Sequence, residues 1–266
     1  MHKAQFVSFW GGHVTWVERL CAASMSQQGH PLAIYTYEPA ELAKYKLAAE
    51  IRDAREVAPE TDAAHRYHAE RRFSMFTETF RLALQRQRKG IWVDLDCYML
   101  KPLVTESDYV FGLALPGKIN GAVLRLPADC AMMNEYVSAI TADPLHTPWS
   151  TLRRRVRREV EILLGQSQPS TSVRTNIGPR AMNYFVRKHG LLKYALPQHA
   201  FYPVLNRETA LLVEPKDRIS ARLTDQTIIV HLWRGRMAHL DILSELPPAS
   251  SYLGKACKRF GLKTPI

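Results

Sequence analysis

The residues of this sequence best suited to chemistry are Asp94 and Asp96, one residue apart at the end of the apolar run Ile91-Trp92-Val93. Carboxylates are hard oxygen ligands, and α/β sheets place their ligands at the carboxyl ends of strands. A Mg²⁺ or Mn²⁺ ion held there by one or two carboxylates and by diphosphate oxygens would act as a Lewis acid on a departing diphosphate. If the chain stays extended from Asp94 to Asp96, strand alternation points both side chains the same way. Taken alone, Asp-x-Asp is a weak signal, because short acidic patterns are common at strand ends. Upstream, Glu78 and Arg81 stand at i and i+3 on one face of an expected helix; read alone, they are also a solvated ion pair worth a few tenths of a kcal/mol.

The elements that must position these groups follow from periodicity. Gln5 to Trp10 is rich in β-formers and stops at Gly11-Gly12, Val14 to Gln28 carries apolar residues at helical spacing, and Leu32 to Tyr35 is again β-rich. Ser74 to Gln87 reads as a helix leading through Gly90 into the strand Ile91-Trp92-Val93. Further strands are expected at Tyr109 to Ala114, Ala122 to Leu126 and Thr227 to Leu232, and helices at Ala128 to Thr141, Leu152 to Leu164 and Pro179 to Lys188. This alternation implies one α/β domain over residues 1–266, a Rossmann-like, mostly parallel sheet with helices on both faces. The polar stretch 165–172 reads as a loop, and Pro247-Pro248 as the start of a C-terminal tail.

Composition narrows the class without naming a function. The chain has 266 residues, 46% hydrophobic and 23% charged, and no apolar run of bilayer length. The short apolar run Phe6 to Trp10 lacks a small-residue cleavage site, and Cys21, Cys97, Cys130 and Cys257 form no C-x-x-C pair. A cytoplasmic protein with reduced thiols is expected. A net charge of +11 attracts nucleic acid, an acidic membrane or phosphorylated substrates alike. RNP, KH, zinc-finger and helix-turn-helix signatures are missing, which argues against a specific nucleic-acid partner. The basic amphipathic segment Leu152 to Leu164 is either a solvated face or a peripheral contact with the anionic inner face of a membrane.

Glu78-Thr79-Phe80-Arg81, then Lys89-Gly90-Ile91-Trp92-Val93-Asp94-Leu95-Asp96, then Met99-Leu100-Lys101-Pro102-Leu103 resembles, in register, the glycosyltransferase families with a DXD sugar-binding region. These include the yeast-type mannosyltransferases, the α-1,4-glycosyltransferases and the glucosylating clostridial toxins. The resemblance extends in order from Phe9-Trp10-Gly11 through Asn120-Gly121-Ala122-Val123 and Thr175-Asn176-Ile177-Gly178-Pro179 to His231-Leu232-Trp233. Glu78 stands where Asp is usual, Lys89 replaces the first Gly of a pair and Trp92 replaces a usual Tyr.

The resemblance implies a GT-A fold and a retaining glycosyltransferase that moves a sugar from a UDP- or GDP-sugar to a glycan or glycolipid acceptor. Its nucleotide-binding half would span about 1–105 and its acceptor-side half about 106–240, before a tail at 241–266. It further implies that Asp94, Asp96 and His231 hold Mn²⁺ or Mg²⁺, that Glu78 accepts hydrogen bonds from the donor sugar, and that Arg81 binds sugar or phosphate oxygen. Phe9, Trp10, Gly11, Trp92, Asn120, His231 and Trp233 would surround the donor. Synthesis of bacterial surface polysaccharide or lipopolysaccharide is the family's habit. A basic nucleic-acid-binding protein and a non-catalytic nucleotide-sugar binding module are the alternatives.

Overall fold

The computed structural model describes residues 4–60, 73–142, 147–165 and 178–263. All but the first residue of the expected loop at 165–172, and Thr175-Asn176-Ile177, lie outside the described residues. In chain order come β1 (Phe6–Phe9), α1 (Trp16–Gln27), β2 (Leu32–Thr36), α2 (Pro39–Ala43), β3 (Glu50–Asp53), α3 (Phe73–Arg86), β4 (Ile91–Val93) and β5 (Cys97–Met99). The hairpin β6 (Val110–Leu115) and β7 (Lys118–Arg125) follows, then α4 (Ala131–Thr141), α5 (Leu152–Leu163), α6 (Pro179–Lys188) and α7 (Gln198–Phe201). The chain ends with β8 (Ile229–His231), α8 (Arg234–His239) and α9 (Tyr252–Arg259).

Six strands form one sheet in the order β3-β2-β1-β4-β7-β6. β1 pairs in parallel with β2 and β4, and β2 with β3. The expected α/β sheet with helices on both faces is therefore present. Its far edge is antiparallel, because β7 runs against both β4 and β6. Only Pro116-Gly117 joins β6 to β7, with Gly117 at φ +63°, and so short a turn cannot provide the crossover that parallel strands need.

Each face of the sheet builds a core, so the central strands are buried on both sides and read as continuous apolar runs. Phe6, Ile34, Ile91 and Val93 pack with Val17, Leu20 and Met25 of α1. Val7, Tyr35, Trp92 and Leu124 face Phe80 and Leu84 of α3, Tyr136 of α4 and Phe185 of α6. α1 starts with a capping box, Thr15 and Glu18 exchanging hydrogen bonds with each other's backbone ends. Gly90 lets β4 approach β1: at φ +149°, a Cβ there would lie 2.5 Å from the Gln5 carbonyl oxygen.

The structure departs from the sequence reading at short or turn-driven elements. β3 and β5 were not expected: β3 reads Glu50-Ile51-Arg52-Asp53, with one apolar residue among three charged ones, and β5 is three residues set directly after the aspartate turn. β7 starts at Lys118, so Asn120 lies within the strand and not in a turn before it. α4 starts at Ala131 and not Ala128, since the Cys130 sulfur caps it by accepting from the Met133 N–H. Residues 241–266, expected as a tail, contain α9, whose Tyr252, Leu253 and Cys257 join the core beside α1.

Candidate active site

β4 stops where Asp94 begins. The Asp94 N–H still donates to the Ala122 carbonyl at 2.7 Å, and then the chain turns, closed by the Cys97 N–H on the Asp94 carbonyl at 3.2 Å. Leu95 and Asp96 occupy that turn, so the extended geometry that would point both carboxylates the same way is not met. β5 leaves the turn and pairs antiparallel with β8, setting Cys97 opposite His231. This small second sheet, of which the sequence announces β8 but not its partner β5, brings the distant His-x-Trp segment to the aspartates.

Asp94 belongs to a network on the α3 side. Its Oδ1 accepts from Arg81 Nη2 at 3.0 Å and from Trp92 Nε1 at 2.6 Å. Arg81 Nη1 donates to Glu78 Oε2 at 2.8 Å, and Tyr136 donates to Glu78 Oε1 at 2.6 Å. The guanidinium also lies 4.7 Å from the centre of the Trp92 ring. Burial opposes a charge on Arg81, but Glu78 and Asp94 outweigh it and hold the residue as a cation. Burial, and then the charge of Glu78, push the Tyr136 hydroxyl well up, keeping it a neutral donor. Glu78 is 3% exposed and each oxygen already has a partner, so the pair expected on a solvated helix face is interior. Gly121 leaves room for this arrangement, since a Cβ there would meet Arg81 Nη1 at 2.8 Å.

Asp96 has different neighbours. Oδ1 faces His231 Nε2 at 3.2 Å, Oδ2 accepts from the Arg234 backbone N–H at 2.8 Å, and the Asp96 carbonyl accepts from the Leu232 N–H at 2.8 Å. Burial would raise the Asp96 carboxyl, yet His231 and the Arg234 N–H together hold it below the usual range. Burial works against a charged imidazole too, but the Asp96 charge raises His231. Trp233 makes the tight turn that aims the Arg234 N–H inward, with a left-handed backbone at φ +58° that few bulky residues adopt. Its ring meets the His231 ring edge-on at 4.3 Å, and its Nε1 donates to the Val204 carbonyl at 2.8 Å. Tyr202 completes the cluster, its ring 5.5 Å from His231 and its hydroxyl donating to the Asn120 carbonyl at 3.2 Å.

The ligand-type atoms of Asp96, Cys97 and His231 lie within 4.8 Å of one another. Asp94 is not part of that group. His231 Nδ1 is buried without a partner among the described residues, and the surroundings of Asp96 favour its ionised form. The nitrogen beside the Asp96 carboxylate is Nε2, and a carboxylate with an imidazole nitrogen, once the imidazole is neutral, is a donor set that suits Mn²⁺, while the carboxylate alone suits Mg²⁺. Burial, then the charges of Asp96 and Asp94, push the Cys97 thiol well up, away from the thiolate a metal takes.

Beyond the ends of β1 and β2, Trp10, Gly12, His13, Thr36, Glu38 and Tyr45 line a cleft of about 360 Å³. Trp10 is half-buried, and Gly12 has φ +141°; of the glycine pair, Gly12 is the one whose backbone requires the residue. Arg234 extends from the aspartate turn to this cleft: its side chain pairs with buried Glu18, and its guanidinium sits 4.9 Å from the Trp10 ring centre. Gly11 adjoins the cleft in sequence only. Phe9 points the other way, into the core against Phe76 and Phe80. Trp92 is 1% exposed and supports Arg81 and Asp94 from beneath. Asn120 uses its Oδ1 on the Ala122 N–H at 2.9 Å.

No family model and no curated protein matches this sequence. Among solved structures the chain is similar to one described as PaToxG glycosyltransferase, with a TM-score of 0.46 and 12% identity over 70% of this chain and 68% of that one.

Several residues of the site carried no sequence signal. Tyr136 reads as one more apolar position of an amphipathic helix, Tyr202 and Cys97 as core, and Glu18 as an ordinary capping residue. Arg234 follows the His-x-Trp motif directly, and that adjacency is the one signal that would have found it.

Proposed function

We propose that this chain is a glycosyltransferase of the GT-A kind, taking a sugar from a UDP- or GDP-sugar to a hydroxyl of a glycan or glycolipid. The observation that carries the reading is the continuity from cleft to carboxylates: Arg234 touches Trp10 of the cleft with its side chain and Asp96 with its backbone. A nucleoside in the cleft would lie against Trp10, with Glu38 as an acceptor for ribose hydroxyls, and its diphosphate would run past the Arg234 guanidinium toward Asp96. A dinucleotide-like ligand at the carboxyl ends of β1 and β4 follows the general rule for such sheets.

Mn²⁺ or Mg²⁺ would be held by Asp96, with His231 beside it, and supplies charge stabilisation to the diphosphate leaving group. Arg234 contributes a fixed cation to the same oxygens. Asp94, held by Arg81 and Trp92, presents its partly exposed carboxylate to hydroxyls of the donor. Glu78 and Tyr136 act on the donor indirectly, by fixing Arg81. In the transfer the bond from the anomeric carbon to the diphosphate oxygen breaks, the acceptor oxygen bonds to that carbon, and the acceptor proton leaves with the diphosphate. Retention, implied by the family resemblance, places the attack on the face the diphosphate leaves; Glu78, buried and saturated, is not a nucleophile.

The test is a panel of UDP- and GDP-sugars, scored for binding and hydrolysis with Mn²⁺ and then with a chelator, for the native chain and for Asp96→Ala. Metal-dependent binding of one donor, lost in the variant, is expected. Absence of metal-dependent binding to every donor, with no effect of the substitution, overturns the proposal.

A further inference from the structure

Helix α5 is amphipathic the wrong way round for a helix that packs only on its own protein. Glu161 is buried and Arg154 and Ile162 are half-buried, while Leu152, Val156, Val160 and Leu163 point outward at positions i, i+4, i+8 and i+11. Leu152 is 69% exposed and Leu163 84%, and Leu164 continues the stripe at 72%. Five of the eight exposed large hydrophobic side chains among the described residues belong to this one stretch. Scattered single apolar residues are ordinary on surfaces, but a continuous stripe marks a contact. Exposed arginines flank it: Arg153 and Arg157 on one side, Arg155 on the other.

We propose that α5 docks this protein on an anionic lipid surface, its apolar stripe in the acyl–headgroup boundary and its arginines on the phosphates. Charge decides the occupant. A nucleic acid would use the arginines and leave the leucines and valines in water, whereas lipid satisfies both. A second copy of the chain would bring the same arginine rows together, and the net charge of +11 adds to that repulsion. No described helix is long and apolar enough to cross a membrane, so the contact lies in the surface plane.

Flotation of the full chain with vesicles tests this, without any sugar donor and independently of the transferase reading. Binding is expected to vesicles of about one-third phosphatidylglycerol and not to phosphatidylcholine alone, and to weaken as salt is raised. The double variant R153Q/R155Q should bind about 30-fold more weakly. The quadruple variant L152S/V156S/V160S/L163S should lose at least about 10-fold, with an unchanged melting temperature because these side chains are exposed. Equal binding to neutral and anionic vesicles, or none to either, overturns the proposal. So does a dimer in sedimentation that the quadruple variant dissociates, or oligonucleotide binding that the quadruple variant retains in the absence of vesicle binding.

Discussion

Asp94 and Asp96 are separated by a single leucine, and their surroundings differ in kind. Asp94 is the outer member of a network of two carboxylates, one arginine, one indole and one tyrosine, drawn from α3, the end of β4 and α4. Asp96 sits where a turn, β8 and the start of α8 meet, opposite an imidazole with one nitrogen left unpartnered. Each arrangement keeps one buried nitrogen without a partner among the described residues, Arg81 Nε in the first and His231 Nδ1 in the second, but Asp94 is bound by a permanent cation and Asp96 by a titratable one. A motif that looks symmetric in sequence thus divides into a half bound to an arginine and a half bound to a histidine, the second being the half proposed above to meet a cation.

The largest effect is expected from breaking the Asp94 side at its centre. Arg81→Ala strands Glu78 and Asp94 without their cation, a loss of about 3–5 kcal/mol for a buried pair, so a thermal scan should show melting lowered by roughly 10 °C. An unchanged melting temperature would mean that the network is not structural and would erase the contrast. Asp96→Ala removes the partner of His231 and the acceptor of the Arg234 N–H, so it should lower stability as well. In the fraction that stays folded it should reduce metal-stimulated donor turnover by about 100-fold or more, against about 10-fold for Asp94→Asn. Equal losses in steady-state kinetics would break the division between the two aspartates.

The next effect is on pH dependence in chelated protein. Because Asp96 raises His231, the stability this histidine contributes is complete below about pH 6.5 and is lost as pH rises through its folded value. Because Asp96 is itself held low, its contribution is present above about pH 3.9 and is lost as pH falls through the folded value. The stability difference between native chain and Asp96→Asn, from urea titrations, should therefore be greatest between those limits and shrink on both sides. Smallest is Asn120→Ala, which removes one hydrogen bond to the Ala122 N–H and should cost about 1 kcal/mol. If donor affinity falls much more than stability, Asn120 touches the donor as well as the strand.

Legibility in the sequence followed the reach of each interaction. Ile91-Trp92-Val93 and the helix before it were visible because burial on both faces of a sheet and on one face of a helix imposes period and composition over many residues. The pairing of Cys97 with His231 was not, because pairing between strands more than a hundred residues apart leaves no local pattern in either one. Glu78 and Arg81 were placed on one helix face correctly, but their burial depends on Tyr136 and Gly121, which come from other elements. Phe9 was grouped with the donor site because it precedes Trp10; alternation along β1 sends it to the opposite, aromatic core.

Gly90 sets a limit on how this protein can change. Its α-hydrogen faces the Gln5 carbonyl across the seam of β1 and β4, and any side chain there would have to part the two strands. β1 leads to Trp10 and the cleft, and β4 leads to Asp94 and Asp96. One methyl group would therefore shift the nucleoside corner against the carboxylates, so sequence drift at Gly90 is closed by backbone contact alone.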